Sequence, residues 1–303
     1  MRADRGRFAP DRGLTARMLL TLFLLGLLYV GFMAALVVLL KSWIVVVLIA
    51  AGLLAAQYWF ADRIALFALH AHEVSAAEQP QLHGVVDRLC TLADLPRPRI
   101  AVADTDLPNA FATGRSADHA VLCVTTGLLR RLEADELEGV VAHELSHLAH
   151  RDVAVITVAS FLGVLAGLLV RFAFYSQLLR GRRDPTSAAL VAAVVGVSAG
   201  VYVISFLLIR SLSRYRELAA DRSAAQLTGR PSALASALTK VSGDIARIPG
   251  KDLRTTQPFN AFLFTPATGK GGPGVMRLFS THPSLERRLE ELAKVSGQLN
   301  QPL

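Results

Sequence analysis

Four stretches of this chain contain no charged residue and are long enough to cross a lipid bilayer: residues 18–40, 42–61, 153–170 and 187–209, of 23, 20, 18 and 23 residues. A spanning helix needs about 20 apolar residues, so the third run is the shortest that qualifies. The chain as a whole is 52% hydrophobic and only 18% charged over 303 residues, too apolar for an ordinary soluble protein of that size. The first run does not read as a cleaved signal peptide. A signal core has about 7–15 apolar residues, and here a second run follows after Lys41 alone. The runs pair into two helical hairpins, 18–61 and 153–209.

Around the hairpins the sequence is polar. Residues 1–17 form a basic tail, and 62–152 and 210–303 read as the two parts of one water-exposed domain. Leu82, Val85, Val86 and Leu89 have helical spacing over Pro80–Ala93. Residues 99–104 and 120–126 look like short strands, with Asn109–Gly114 between them. A helix is expected from about Ala134, where Asp135 and Glu136 suit its first turn. Leu285, Leu289 and Leu292 mark one face of a charged final helix, and 269–274 is a Gly-rich loop. The expected fold is therefore a mostly α integral membrane protein. It has four transmembrane helices and an α+β water-exposed domain with a small sheet.

Arginines set the topology. Eleven basic residues flank the spans on the side of the tail and five on the other, Lys41, Arg171, Arg180, Arg182 and Arg183. Basic flanks stay in the cytoplasm, which puts the polar domain there. The net charge of +8 does not indicate nucleic acid, because the basic tail lacks interleaved aromatics. Cys90 and Cys123 form no CxxC pattern and read as reduced thiols.

The chemistry concentrates at His143-Glu144-Leu145-Ser146-His147. On a helix, HExxH sets two imidazoles one turn apart on one face, where both can reach one zinc ion, with Glu144 beside them as the base. Chance matches to this pattern are expected about 0.006 times in such a composition. A catalytic zinc needs a third protein ligand. His147 lies six residues before the third apolar run, about 9 Å along a helix. The matching height after an antiparallel fourth run falls at residues 215–217, where Glu217 stands. Asp221, one turn further, is placed to accept the remaining N–H of a ligating histidine. His150 is too far round the helix to converge easily, and His70, His72, His83 and His119 have no partner spacing.

With these residues in hand, the sequence resembles the HtpX-type membrane zinc metallopeptidases, which are related to the CAAX prenyl proteases. The resemblance runs nearly the length of the chain. It is carried by Asn109-Ala110-Phe111-Ala112, residues 124–129, HExxH, Glu217 with Asp221, and Thr281-His282-Pro283. It implies a gluzincin-like fold, one zinc per chain on His143, His147 and Glu217, and Glu144 as general base. It further implies that His282 donates to the tetrahedral oxyanion, and that Asn109, Ala110, Phe111 and Ala112 bind an extended peptide by strand addition. The expected activity is metalloendopeptidase cleavage of misfolded or membrane proteins, on the cytoplasmic side of a bacterial-type plasma membrane. Its partners are polypeptides and the bilayer. The alternatives are a processing protease for prenylated C-termini, which has more spans in the related enzymes, and a catalytically silent membrane scaffold.

Overall fold

A computed structural model describes residues 12–40, 43–114, 119–150, 165–167, 185–245 and 282–300. Residues 1–11, most of the third apolar run, the loop at 171–184, the Gly-rich stretch 269–274 and Thr281 lie outside them. In chain order the described elements are α1 (Arg12–Leu40), α2 (Trp43–Ala68), β1 (His72–Glu73), α3 (Pro80–Ala93), β2 (Arg99–Ala103), β3 (Ala110–Thr113), β4 (Val121–Thr125), α4 (Thr126–Leu129), α5 (Ala134–Ala149), α6 (Pro185–Thr228), α7 (Pro231–Ile245) and α8 (Leu285–Leu299). They divide into two compact units. One is drawn from Thr15–Phe60 and Ala154–Leu212, the other from Met1–Leu14, Ala61–Val153 and Ser213–Leu303.

The first of these units is helical, an arrangement that satisfies every backbone polar group within its own segment, as long apolar runs in hydrocarbon require when no closed barrel is formed. Among the described residues, Arg12–Val38 and Val191–Thr228 are long and apolar enough to cross a membrane. The second apolar run lies within α2, a helix of 26 residues. Of the third run, only residues 165–167 are described, and they are helical. Leu25, Phe32 and Leu36 of α1 pack with Ala50, Leu165, Ala166 and Val201. Leu19, Phe23, Leu27, Val30 and Val38 of the same helix point outward. A helix that is apolar on every side fits lipid, not water.

The second unit is built around a four-stranded mixed sheet in the order β1-β2-β4-β3. β2 runs parallel to β4 with Ala101 opposite Cys123, and β3 runs antiparallel to β4 with Phe111 opposite that same cysteine. Strand side chains alternate between faces, and both faces are covered. Ile100, Val102, Ala110, Leu122 and Val124 join a core with α3, α5, α7 and α8. Ala101, Ala103, Phe111, Val121 and Cys123 meet Leu66, Leu69 and Ala71 on the other face. Burial raises the Cys123 thiol to about 12, so it is a small core residue and not a reactive one. The segment after Asn109 is thus an edge strand and not a turn.

Two devices fix the ends of this sheet and the start of α5. Thr125 Oγ1 accepts from the Asn109 N–H at 2.9 Å and from the Leu128 N–H at 3.2 Å, which binds the entry to β3 to the β4–α4 corner. Glu136 accepts from the Glu133 N–H at 2.9 Å, from Ser236 at 2.6 Å and from Lys240 at 2.8 Å, so α7 holds the first turn of α5.

Gly127 opens the same corner to the backbone of the 105–106 loop. Its N–H donates to the Thr105 carbonyl at 2.8 Å, and an added Cβ would lie 2.3 Å from the Asp106 carbonyl oxygen. Backbone cannot swing aside as a side chain can. Gly127→Ala is therefore expected to destabilise the protein by about 1–3 kcal/mol, read as a lower midpoint of thermal unfolding in detergent. An unchanged midpoint would contradict this packing.

Candidate metal centre

Three elements of the second unit converge on one buried point. α5 brings His143, Glu144 and His147, which are 1%, 5% and 7% exposed; the last turns of α6 bring Glu217 and Asp221, at 6% and 0%; and the segment entering α8 brings His282 at 7%. The helical period does the aiming: residues at i and i+4 share a face, both for the two histidines and for the two carboxylates.

The distances describe a cluster ready for a cation. His143 Nε2 lies 3.7 Å and His147 Nε2 3.5 Å from the two oxygens of Glu217. One donor atom from each of the three residues lies within 4.8 Å of the others. Ligands at about 2.0–2.1 Å from a tetrahedral zinc sit about 3.3 Å from one another, so the set closes on such an ion with small side-chain shifts. Two neutral imidazoles and one carboxylate are also a donor set that zinc accepts. Burial disfavours a proton on His143, but hydrogen bonds to Asp221 and Glu217 outweigh it and raise the ring to about 9. The carboxylates that favour that proton would also favour a metal cation, whose binding would displace the proton.

Around the cluster each group has a fixed neighbour. His143 Nδ1 donates to Asp221 Oδ1 at 2.9 Å, which leaves Nε2 facing the cluster. His282 Nδ1 donates to Glu217 Oε2 at 3.0 Å. Glu144 Oε2 accepts from the backbone N–H of Ala112 at 3.0 Å. Burial raises the Glu144 carboxyl above its ordinary value; the imidazoles of His143 and His147 pull it down, Glu217 pushes it up, and the Ala112 N–H pulls it down. A carboxylate raised toward neutrality is suited to accept and return a proton.

The Ala112 bond also reports the orientation of β3. The Asn109 carbonyl accepts from the Thr125 N–H at 3.0 Å, and the Asn109 N–H donates to Thr125 Oγ1 at 2.9 Å, so Phe111 and Thr113 turn their backbone groups inward and Ala110 and Ala112 turn theirs outward. Among the described residues β3 pairs with β4 alone. The Phe111 side chain is buried on the far face of the sheet, so an added strand at this edge would meet it only through the backbone.

Of the residues singled out in the sequence, His143, Glu144, His147, Glu217, Asp221, His282 and Ala112 come together. His150 does not: it terminates α5, with Nδ1 donating to the Ser146 carbonyl at 2.8 Å. His83 is held by the Val74 carbonyl at 3.0 Å. One participant escaped the sequence reading. Arg288 of α8, 1% exposed, donates from Nε and Nη2 to the two oxygens of Asp221, each at 2.7 Å. Its only trace in the sequence is a cation set among the apolar positions of α8, three residues after Leu285 and four before Leu292.

The pattern described as Peptidase family M48 matches residues 76–296. Protease HtpX homolog 1 of Streptomyces coelicolor is 69% identical over 297 residues, 98% of this chain and 97% of that one. Protease HtpX homolog of Moorella thermoacetica is 48% identical over 298 residues, 98% of this chain and 99% of its own. Among solved structures, S. mikatae Ste24p superposes with a TM-score of 0.53 at 18% identity, over 93% of this chain and 67% of that chain. At that identity the likeness is one of fold.

Proposed function

The chain belongs to peptidase family M48 and is a membrane metallopeptidase, and from this premise we propose that it is an endopeptidase using one zinc ion held by His143, His147 and Glu217. The observation that carries the proposal is the closure of those three donors within 4.8 Å, with Glu144 buried next to them. Zinc supplies Lewis acidity there, for the carbonyl under attack and for the attacking water. The rest is the work of the chain's own side chains.

Glu144 takes the proton of the attacking water on its carboxylate and returns it to the departing amine, so no covalent enzyme intermediate is needed. Asp221 holds the His143 Nδ1–H and thereby fixes which nitrogen faces the metal. The substrate lies extended along β3 and pairs with the outward backbone groups of Ala110 and the carbonyl of Ala112, with Asn109 and Phe111 holding the strand in place. The Ala112 N–H ties the base to that same edge at 3.0 Å, which sets the scissile bond and the proton acceptor in one frame. His282 donates to the developing oxyanion; its bond to Glu217 keeps the ring at the rim of the cluster.

The membrane part of the proposal is a four-span, multi-pass protein with its site on the cytoplasmic side. The four uncharged runs and the excess of arginine on the tail side support it. Its substrates in this reading are misfolded or damaged membrane proteins. The fold likeness to Ste24p does not favour prenylated C-termini over these, and the complete set of donors together with a base argues against a silent scaffold.

Purification in detergent under zinc-free conditions, followed by zinc titration, tests the proposal. Hydrolysis of casein is expected to be absent without metal and to rise to a plateau at one zinc per chain. Full activity in the metal-free protein, or none after zinc loading, would sink it.

A further inference from the structure

Among the described residues, Arg288 is the largest fully buried side chain. A charged side chain is almost never fully buried unless it is paired. A guanidinium is stable in such a place only when its planar fork meets a matching acceptor. Here the acceptor is Asp221, 0% exposed, engaged through both oxygens at 2.7 Å. Oδ1 of that carboxylate also receives the His143 Nδ1–H at 2.9 Å. Arg288 Nη1 lies 3.9 Å from Glu217 Oε2. One side chain of α8 thus faces two groups of the cluster, an orienting carboxylate and a metal-binding one.

Other contacts bring α8 and the residues before it to the same helix. His282 meets Glu217 at 3.0 Å. Arg222, one residue beyond Asp221, pairs with Glu291 at 2.7 Å. Leu292 and Val295 anchor α8 in the core shared with α5 and α7. The polar contacts thus run along one turn and a half of α6, the stretch that carries Glu217 and Asp221.

We propose that Arg288 is a positioning residue of the metal centre: it clamps Asp221, Asp221 holds His143, and the fork on Asp221 therefore determines how tightly the metal is retained. This rests on the reading of His143, His147 and Glu217 as ligands. An unclamped Asp221 can rotate about its side-chain torsions, and with it goes the tautomer and direction of His143. Loss of an orienting partner of this kind commonly lowers metal affinity about 10–100-fold.

The test measures zinc retention by the full-length protein in detergent, by competition with a chromophoric chelator, and the visible spectrum of the cobalt-substituted protein. The wild type comes first: if it holds no stoichiometric zinc, the ligand assignment fails before Arg288 is reached. If it does, Arg288→Ala is expected to lower zinc affinity about 10–100-fold and to shift the cobalt bands. Arg288→Lys, which keeps the charge and the volume but loses the fork, should fold and fall between the two. Leu292→Ala loosens the same helix without touching Asp221, and should lower thermal stability while changing zinc affinity less than about 2-fold. In an Asp221→Asn background, Arg288→Lys should have little further effect on affinity, since the two act in series. Wild-type affinity and spectrum in Arg288→Lys, or an equal loss of affinity in Leu292→Ala, would overturn the proposal and leave Arg288 a purely structural residue.

Discussion

Glu144→Gln is expected to lower kcat/KM for a peptide substrate by about 10³-fold, equivalent to about 4 kcal/mol of transition-state stabilisation, with zinc still bound at one per chain. The amide is nearly isosteric with the carboxylate. Its oxygen can still accept the Ala112 N–H, which Glu144 engages at 3.0 Å, so the edge strand and the cluster keep their places. What disappears is the proton acceptor, in a buried pocket where solvent is a poor substitute. The loss should fall on kcat, because the substrate backbone still has β3 to bind. The paired measurement is steady-state hydrolysis together with zinc content on the same sample. More than a tenth of wild-type activity at full zinc occupancy would remove Glu144 from its role.

The other large effect is expected at Glu217. Glu217→Ala takes away the only negatively charged member of the three-donor cluster and leaves two imidazoles on one helix turn. Since the loss of a mere orienting partner costs about 10–100-fold in metal affinity, the loss of a ligand should exceed about 100-fold, with activity falling to background. Glu217 also accepts from His282 at 3.0 Å and faces Arg288 at 3.9 Å, so its removal leaves two buried donors poorly matched as well. Zinc content after dialysis against a weak chelator decides the matter. Stoichiometric zinc in the alanine variant would show that the third ligand lies elsewhere.

These two residues were legible in different ways. Glu144 sits inside a contiguous pattern, where i, i+4 spacing alone puts the histidines on one face. Glu217 stands at a residue separation that no local pattern covers, and became visible only because two apolar runs set a common height for the residues that follow. Asp221 then came with it, one turn further on. The secondary structure of α3, α5 and α8 was readable from apolar spacing and from first-turn charges. The sheet was readable as strands, but its order was not: strands of four and five residues carry no record of their neighbours, and β1, a two-residue bridge opposite Val102 and Ala101, has no signature at all.

Two features of the site escaped for a physical reason. The bond between Ala112 and Glu144 uses a backbone N–H, which every residue but proline possesses, so no residue type announces it. Arg288 announced itself weakly, as a charge in the apolar stripe of α8. A stripe interrupted by a cation usually means a side chain that reaches past the helix to water, with its stem buried and its head out. Here the fork turns inward instead, toward a carboxylate that lies 67 residues earlier in the chain.

Separations of that size give the site an order of manufacture. A ribosome delivers His143 before Arg288, which follows 145 positions later. The helix bearing His143, Glu144 and His147 is thus translated well before the residue that clamps Asp221 exists. No nascent chain shorter than 288 residues contains the Arg288–Asp221 fork. A chain truncated before α8 would therefore carry the whole HExxH sequence but lack the side chain that holds Asp221 against His143.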